Sequence, residues 1–377
     1  MNREATDTIA FVARVEQSLA TLLTTEEERL AARGMAEVQA LVQGLRRLAL
    51  SPAKRVRPTF CYWGWRGTDP GGGGKDDDDE DVVRACVALE LVHTCALIHD
   101  DLMDRSDRRR GKPSLHRALA EWCRGKGLGG DPERFGTSSA LLAGHLCLTW
   151  ADSLLDGLSP AVSRAARRMV RELRTEVTAG QYLDLLGEVG ATDGSLSSCL
   201  RLAQLKTGRY TVARPLQLGG VVGCGGPGLL ATYRAYGRPL GVAFQLADDL
   251  ADVLGPPDGE EAPGTEDLRA GKTTALVVLG RQEADPRQLA ILDRLIGSED
   301  LGEAGAEMVR DVLVATGAVD RVADLIAGHV AEAKRAVEAG ALPPSAASAL
   351  LDLADAVGQP PRGSFGRPAP VLAVVDG

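Results

Sequence analysis

Aromatic side chains are scarce in this 377-residue chain, at 4% of the total, and runs of β-branched residues are short. Both shortages disfavour a β-rich fold. Cysteine is present but poorly placed for cross-linking. Cys61, Cys86, Cys95, Cys123, Cys147, Cys199 and Cys224 are odd in number, scattered and never spaced CxxC, which argues against a disulfide framework or a zinc knuckle and leaves them as small apolar filler. Positive charge is in deficit as well. The 43 Lys and Arg against 52 Asp and Glu give a net charge of −9 with no segregated basic patch, so a nucleic-acid partner is disfavoured. Long uncharged runs are also missing: the longest, Pro215 to Tyr233, carries six Gly and two Pro. The first residues lack the basic-then-apolar build of a signal peptide, and a soluble, cytoplasmic protein without a transmembrane segment is the expectation.

Apolar residues, by contrast, make up 44% of the chain and charged ones 25%, with Leu and Ala recurring every three to four positions. That period predicts an all-α globule with material for a large core. Residues 1–50 read as two N-terminal amphipathic helices packing on a main domain of residues 51–358, with a loose Pro/Gly-rich tail over 359–377. Thr24 and Thr25, followed by Glu26 to Glu28, spell a capping box between the first two helices. The Gly-rich, then acidic stretch from Gly67 to Asp81 reads as a solvated connection rather than a metal site. From Val82 to Met103 the chain is apolar nearly all round, as a buried central helix requires. Further helices are expected at 136–156, 160–188, 195–214, 229–254, 272–296, 303–316, 318–340 and 345–357. The segment Gly223 to Gly228 follows no strand, so it reads as a helix connection and not a phosphate loop.

The central helix ends in Asp100-Asp101-Leu102-Met103-Asp104. Asp100 and Asp104 lie one turn apart, so like charges crowd one helix end unless a hard divalent cation removes the conflict. The spelling recurs once, as Asp248-Asp249-Leu250-Ala251-Asp252, again closing an apolar helical stretch. One DDxxD is weak evidence, since acidic helix ends are common on surfaces; two, each after a buried run, suggest acidic walls facing one cavity. Basic residues stand nearby: Arg108 to Arg110 after the first cluster, Lys272 after the second, and Lys54, Arg57 and Lys206 elsewhere. Carboxylates for metal beside Arg and Lys for phosphate oxygens are what a diphosphate ligand needs.

From about Ala53 to Lys272 these ordered motifs resemble the trans-isoprenyl diphosphate synthases, also called polyprenyl synthetases. The family's DDxxDxxxxRRG is matched without a gap by Asp100, Asp101, Asp104, Arg109, Arg110 and Gly111. Its GKRxRP is similar to Ala53 to Pro58, with Ala53 in place of the first Gly. Its GQxxD, KT, FQ and late GK motifs are matched at Gln181 and Asp184, Lys206 and Thr207, Phe244 and Gln245, and Lys272. The resemblance implies an isoprenoid-synthase-type helical bundle around a central cavity and a homodimer by family habit. It also implies head-to-tail condensation of isopentenyl diphosphate with an allylic diphosphate (dimethylallyl, geranyl or farnesyl) using three Mg²⁺ ions. By the same resemblance Asp100, Asp101, Asp104, Gln181, Asp184, Asp248, Asp249 and Asp252 serve the metal. Arg109 holds the allylic diphosphate, Lys54, Arg57, His93 and Arg110 serve isopentenyl diphosphate, and Lys206, Thr207, Gln245 and Lys272 are further substrate-binding residues. Asp100, Asp101, Asp104, Lys206, Asp248 and Asp249 are the catalytic set.

Two departures stand out: the family's extra lysine is missing between Asp252 and Lys272, and its usual Gly-Asp reads Gly144-His145. No Ser/His/Asp or Cys/His arrangement suggests a nucleophilic side chain. His99 and His116 read as structural, and Tyr210 as either core packing or a carbocation shield. The small Cys95 and Ala96, one turn beneath Asp100, leave room for a long hydrocarbon and favour a C20 product, geranylgeranyl diphosphate. A C15 or longer product, a non-catalytic regulatory subunit and a class I terpene cyclase are the alternatives; in a cyclase the second metal motif would mix Asn or Asp, Ser or Thr, and Glu.

Overall fold

The computed structural model describes residues 3–69, 79–109, 111–255 and 264–358. The expected C-terminal tail, 359–377, and most of the acidic connection before the central helix lie outside that range. Among the described residues the chain is helical, apart from a two-residue pairing of Arg108–Arg109 with Lys112–Pro113. The central helix α4 (Asp79–Met103) is buried along its length, with Val82, Ala85, Cys86, Leu89 and Leu91 fully shielded. Its Glu80–Met103 stretch is long and apolar enough to cross a bilayer, but 72% of the window is buried inside the protein, which is what a core helix requires.

Against α4 pack α3 (Val56–Arg66), α6 (Pro132–Asp156) and α7 (Pro160–Glu188), while the end of α10 (Pro227–Leu254) faces that of α4 across a cavity. Small residues on α6, namely Ala140, Ala143, Gly144, Cys147 and Ala151, form the stripe that lets it lie along α4. A Cβ at Gly144 would collide with the His99 ring, which explains the glycine and gives His99 its structural role. His145, next to it, is exposed. Between α8 (Leu196–Ala203) and α9 (Arg214–Val222) the chain adopts a π-helix over Gln204–Ala213, a wider coil that tends to mark functional sites. It packs on α10 through Gly208 and Gly241, and a Cβ on Gly241 would fall inside the Gly208 backbone.

Several expected boundaries move. The first helix, α1 (Arg3–Ala32), runs straight through Thr24, whose hydroxyl donates to the Ala20 carbonyl instead of capping a new helix. The break comes later, at Gly34 with φ +77°, before α2 (Gln39–Ala49). The 195–214 helix divides into α8 and the π segment. The 272–296 helix divides into α12 (Ala275–Glu283) and α13 (Pro286–Leu295), because Asp285 and Gln288 form a capping box ahead of Pro286. A short helix, α5 (Leu115–Gly125), was not anticipated. Gly223 to Gly226 does connect two helices, α9 and α10.

Arg55 ties the N-terminal helices to the core. It caps α3 from the left-handed region (φ 42°), and its guanidinium meets Glu90 at 2.5 Å and Glu16 at 2.8 Å and donates to the Ala49 carbonyl at 2.9 Å. Burial works against its charge, but the two glutamates hold it protonated. Of the basic string, Arg55 is therefore a core residue.

Candidate active site

The ends of α4 and α10 face one cavity of about 640 Å³, and Asp100, Asp104, Asp248, Asp249 and Asp252 all line it. Each cluster sits where a buried apolar helix emerges, so its carboxylates are held rigidly and partly out of water. Burial pushes the Asp248 carboxyl up to about 7, aided by Asp252 and Asp249 and opposed by Lys54 and Arg57. Burial likewise takes Asp249 to about 7, against a hydrogen bond from Gln245 Nε2 at 2.6 Å, and Asp252 to about 6. Gln245 is itself oriented by the Thr207 hydroxyl. On the opposite wall Asp104 is raised by burial and by Asp100.

Lysines interleave the acids. Lys206, on the π segment, lies 2.5 Å from Asp184 and 3.5 Å from Asp100. Lys272 links the first cluster to Asp267, 3.3 Å from Asp104 and 2.9 Å from Asp267. Burial opposes its charge, yet Asp267 and Asp104 outweigh that and hold the ammonium well above its ordinary range. Arg109 reaches back from the short strand pair to Asp101 at 2.5 Å and Asp100 at 3.5 Å.

Arg57, Arg109, Asp184, Lys206, Thr207, Gln245 and Lys272 thus join the aspartates on the cavity wall. Asp101 does not. It is 1% exposed and turned to Arg109, and burial, against Arg109, raises it to about 6. Lys54, His93 and Gln181 lie outside the lining, as do Cys95 and Ala96; Leu97, Leu202 and Phe244 supply the apolar part of the wall. Arg110 lies outside the described residues. Tyr210 is buried behind Arg57, whose guanidinium carbon sits 4.2 Å from the ring centroid, while its hydroxyl pairs with His93 Nδ1 at 3.0 Å. Of its two readings, packing is the one that fits: the ring and His93 orient Arg57, which also donates to Thr211 at 2.9 Å.

Asp267 is the residue sequence reasoning missed. Its only signal is an acidic pair, Glu266-Asp267, five positions ahead of Lys272, where short α11 (Glu266–Ala270) turns back at Gly271. That turn brings the carboxylate to the lysine.

The donor set suits magnesium. Asp100 Oδ1, Asp101 Oδ2 and Asp104 Oδ1 are buried without a hydrogen-bond partner, which leaves hard oxygen acceptors in need of a cation. Among the described residues no three protein groups converge closely enough to hold an ion alone. Magnesium characteristically completes its shell with water and phosphate oxygens, so the arrangement fits a metal bound together with its diphosphate.

A pH dependence follows from the raised carboxyls. The unfolded chain loses these protons near pH 3.8, whereas the folded one keeps them to about 7 at Asp248 and Asp249. The folded state therefore binds more protons across that window, stability falls as pH rises through it, and the full penalty applies above it. Magnesium with inorganic diphosphate should then raise the melting temperature more at about pH 8 than at about pH 5.5. Equal shifts in a scanning fluorimetry series would contradict this assignment.

Known proteins share this fold and this sequence pattern. A solved geranylgeranyl pyrophosphate synthase from Corynebacterium glutamicum, complexed with isoprenyl diphosphate and magnesium, superposes with a TM-score of 0.86 at 33% identity, covering 93% of this chain and 98% of that one. The (2E,6E)-farnesyl diphosphate synthase of Mycobacterium tuberculosis is 37% identical over 193 residues, 51% of this chain, so the match spans about half (48%) of that relative's length. A short chain isoprenyl diphosphate synthase of Methanothermobacter thermautotrophicus is 28% identical over 303 residues, covering 80% of this chain and 84% of that protein. The family model for polyprenyl synthetase matches residues 38–312, and with both acidic walls in place the chain belongs to that family.

Proposed function

We propose that the protein is a Mg²⁺-dependent trans-prenyl diphosphate synthase that joins isopentenyl diphosphate head-to-tail to an allylic diphosphate and releases geranylgeranyl diphosphate, C20. The observation that carries this reading is the facing of two aspartate clusters across a cavity whose walls also present Arg57, Arg109, Lys206 and Lys272. Neither a cyclase nor a binding module needs two separate cationic groups for two diphosphates.

In this reading Asp100, Asp104, Asp184, Asp248, Asp249 and Asp252 on the cavity wall would hold the magnesium ions, three by the family resemblance, with Asp101 and Gln181 supporting from outside the lining, and the ions would supply charge neutralisation of the leaving diphosphate. Arg109, Lys206 and Lys272 grip its oxygens, with Thr207 and Gln245 fixing the orientation of Asp249. The allylic C–O bond breaks with its electron pair on the diphosphate. The double bond of isopentenyl diphosphate, held by Arg57, Lys54 and Arg110 with His93 acting on Arg57 through Tyr210, attacks the allylic carbon, and a proton then leaves to the departed diphosphate. No nucleophilic side chain is required. Arg57 is poised for its part by Tyr210 and His93, and electrostatic preorganisation of this kind is the largest lever such a site has.

The C20 assignment draws on Cys95 and Ala96, small residues one turn below Asp100, and on the likeness to the Corynebacterium enzyme. The family's range, with farnesyl, geranylgeranyl and nonaprenyl synthases among the relatives, makes product length the finer question. A catalytic unit over residues 51–358, carried with 1–50 in a cytoplasmic homodimer, completes the proposal. Incubation of purified protein with Mg²⁺, isopentenyl diphosphate and each allylic primer, followed by chromatographic sizing, tests it; absence of elongation from every primer defeats it. Ala96→Phe should shorten the product by at least one isoprene unit, since a ring there blocks the path below Asp100. An unchanged product length would route the hydrocarbon elsewhere.

A further inference from the structure

On the other side of the π segment from the aspartates lies a separate cleft of about 220 Å³. Four guanidiniums line it, those of Arg209, Arg214, Arg234 and Arg238, against two carboxylates, Glu172 and Glu176. Glu176 is fully engaged: it takes Arg214 Nε at 2.9 Å, Arg214 NH2 at 2.6 Å and Arg209 NH1 at 2.9 Å. Arg214 also reaches Glu172 at 3.3 Å, a residue shared with Arg168. Arg234 and Arg238 make no ion pair among the described residues, and Arg209 Nε is buried without a hydrogen-bond partner. Positive charge is thus in local excess on a chain whose net charge is −9.

We infer that this cleft is a second anion site, selective for a diphosphate group and independent of the magnesium-dependent cavity. Planar guanidinium forks match phosphate oxygens two at a time, which a halide cannot exploit; Arg214 is taken up by Glu176 and Glu172, and the three remaining forks of Arg209, Arg234 and Arg238 in one concavity favour a ligand with more than one phosphoryl group. A cleft of about 220 Å³ suits a small anion better than a segment of an acidic protein, and the overall negative charge disfavours a nucleic acid. That the ligand is diphosphate rests on the proposed reaction, which releases that ion; that an anion binds rests on the arginines alone.

The cleft is connected to catalysis by one element. Arg209 and Ala213 face it from the same π segment that presents Lys206, Thr207 and Thr211 to the cavity. A ligand that draws Arg209 away from Glu176 acts directly on the backbone holding Lys206, which gives released diphosphate a route to modulate the enzyme that made it.

Calorimetric titration of the full chain with inorganic diphosphate in EDTA tests the site without reference to turnover. One site per chain is expected, weakened about tenfold or more by Arg234→Gln with Arg238→Gln, both exposed, and preserved in Asp248→Asn. Geranyl diphosphate binding as tightly as the inorganic ion would assign the head group of a prenyl diphosphate as an additional source; weaker binding assigns the free ion. Hydrogen exchange over residues 204–213 should slow on addition of diphosphate to the wild type and not to the double variant. Absence of metal-independent binding, binding that survives the double substitution, or binding lost in Asp248→Asn overturns the inference. So does a wild type that binds no diphosphate while the double variant changes its sedimentation, because the arginines then form a subunit contact. A protein that binds diphosphate in EDTA but fails to elongate any primer would refute the proposed reaction and leave the anion site standing.

Discussion

Asp248→Asn should lower kcat/KM about a thousandfold while making the metal-free protein more heat-resistant at about pH 8. The two effects have one cause. Burial has raised the Asp248 carboxyl to about 7, so above that pH the folded chain carries an ionised group that its surroundings disfavour. Asparagine keeps the shape and removes the charge. The metal-free fold gains, and the cation loses one of the oxygens that draw it to the wall. Asp100→Asn, on the opposite wall, should show the same loss of turnover with a smaller gain in stability, because Lys206 and Arg109 already stand near that carboxylate. Steady-state kinetics with isopentenyl and geranyl diphosphates, paired with thermal denaturation in EDTA, separates the two readouts. Activity within tenfold of wild type for Asp248→Asn would remove the second cluster from the chemistry.

Glu90→Leu should cost about 3–5 kcal/mol of folding stability, the range for breaking one partner out of a buried ion pair. Arg55 and Glu90 are 4% and 3% exposed at their side chains, and their 2.5 Å contact lies between α3 and α4. Without Glu90, the guanidinium keeps Glu16, the Ala49 carbonyl and little else inside the core. Exchanging both partners, as Arg55→Met with Glu90→Leu, should recover most of the loss, since the pair is then replaced by apolar volume and no charge is stranded. Denaturant melts of the two single variants and the double one complete the cycle. A loss under about 1 kcal/mol for Glu90→Leu would mean that Glu16 alone satisfies Arg55.

Much of the site was legible because its chemistry is written in short-range spelling. A DDxxD needs only one helical turn to gather its carboxylates, and both copies stand at the mouths of apolar helices as their flanking sequence predicts. Residues whose roles depend on distant partners were harder to read. Arg55 and Arg57 are two positions apart in one basic string, yet the left-handed cap at Arg55 sends its side chain into the core and leaves Arg57 for the cavity. Nothing local announces that. Tyr210 stands 153 positions beyond Arg57, so its ring became a support for that guanidinium only once α3 and the π segment were brought together. Asp101 belongs to the motif but sits about 100° round from Asp100 on the helix, and that rotation delivers it to Arg109 rather than to the open cavity. Thr24 misled for a related reason: a hydroxyl that can bond back to the preceding turn is as content inside a helix as at its start.

The wide coil at Gln204–Ala213 sets a condition on any attempt to graft this chemistry onto a designed scaffold. Copying Lys206, Thr207 and Thr211 onto an ideal α-helix would rotate them out of phase with one another and with the arginine on the reverse face. Such a graft would inherit the right letters in the wrong directions; the extra residue in each turn has to be transplanted with them, along with the paired glycines that let so broad a coil lie flush against its neighbour.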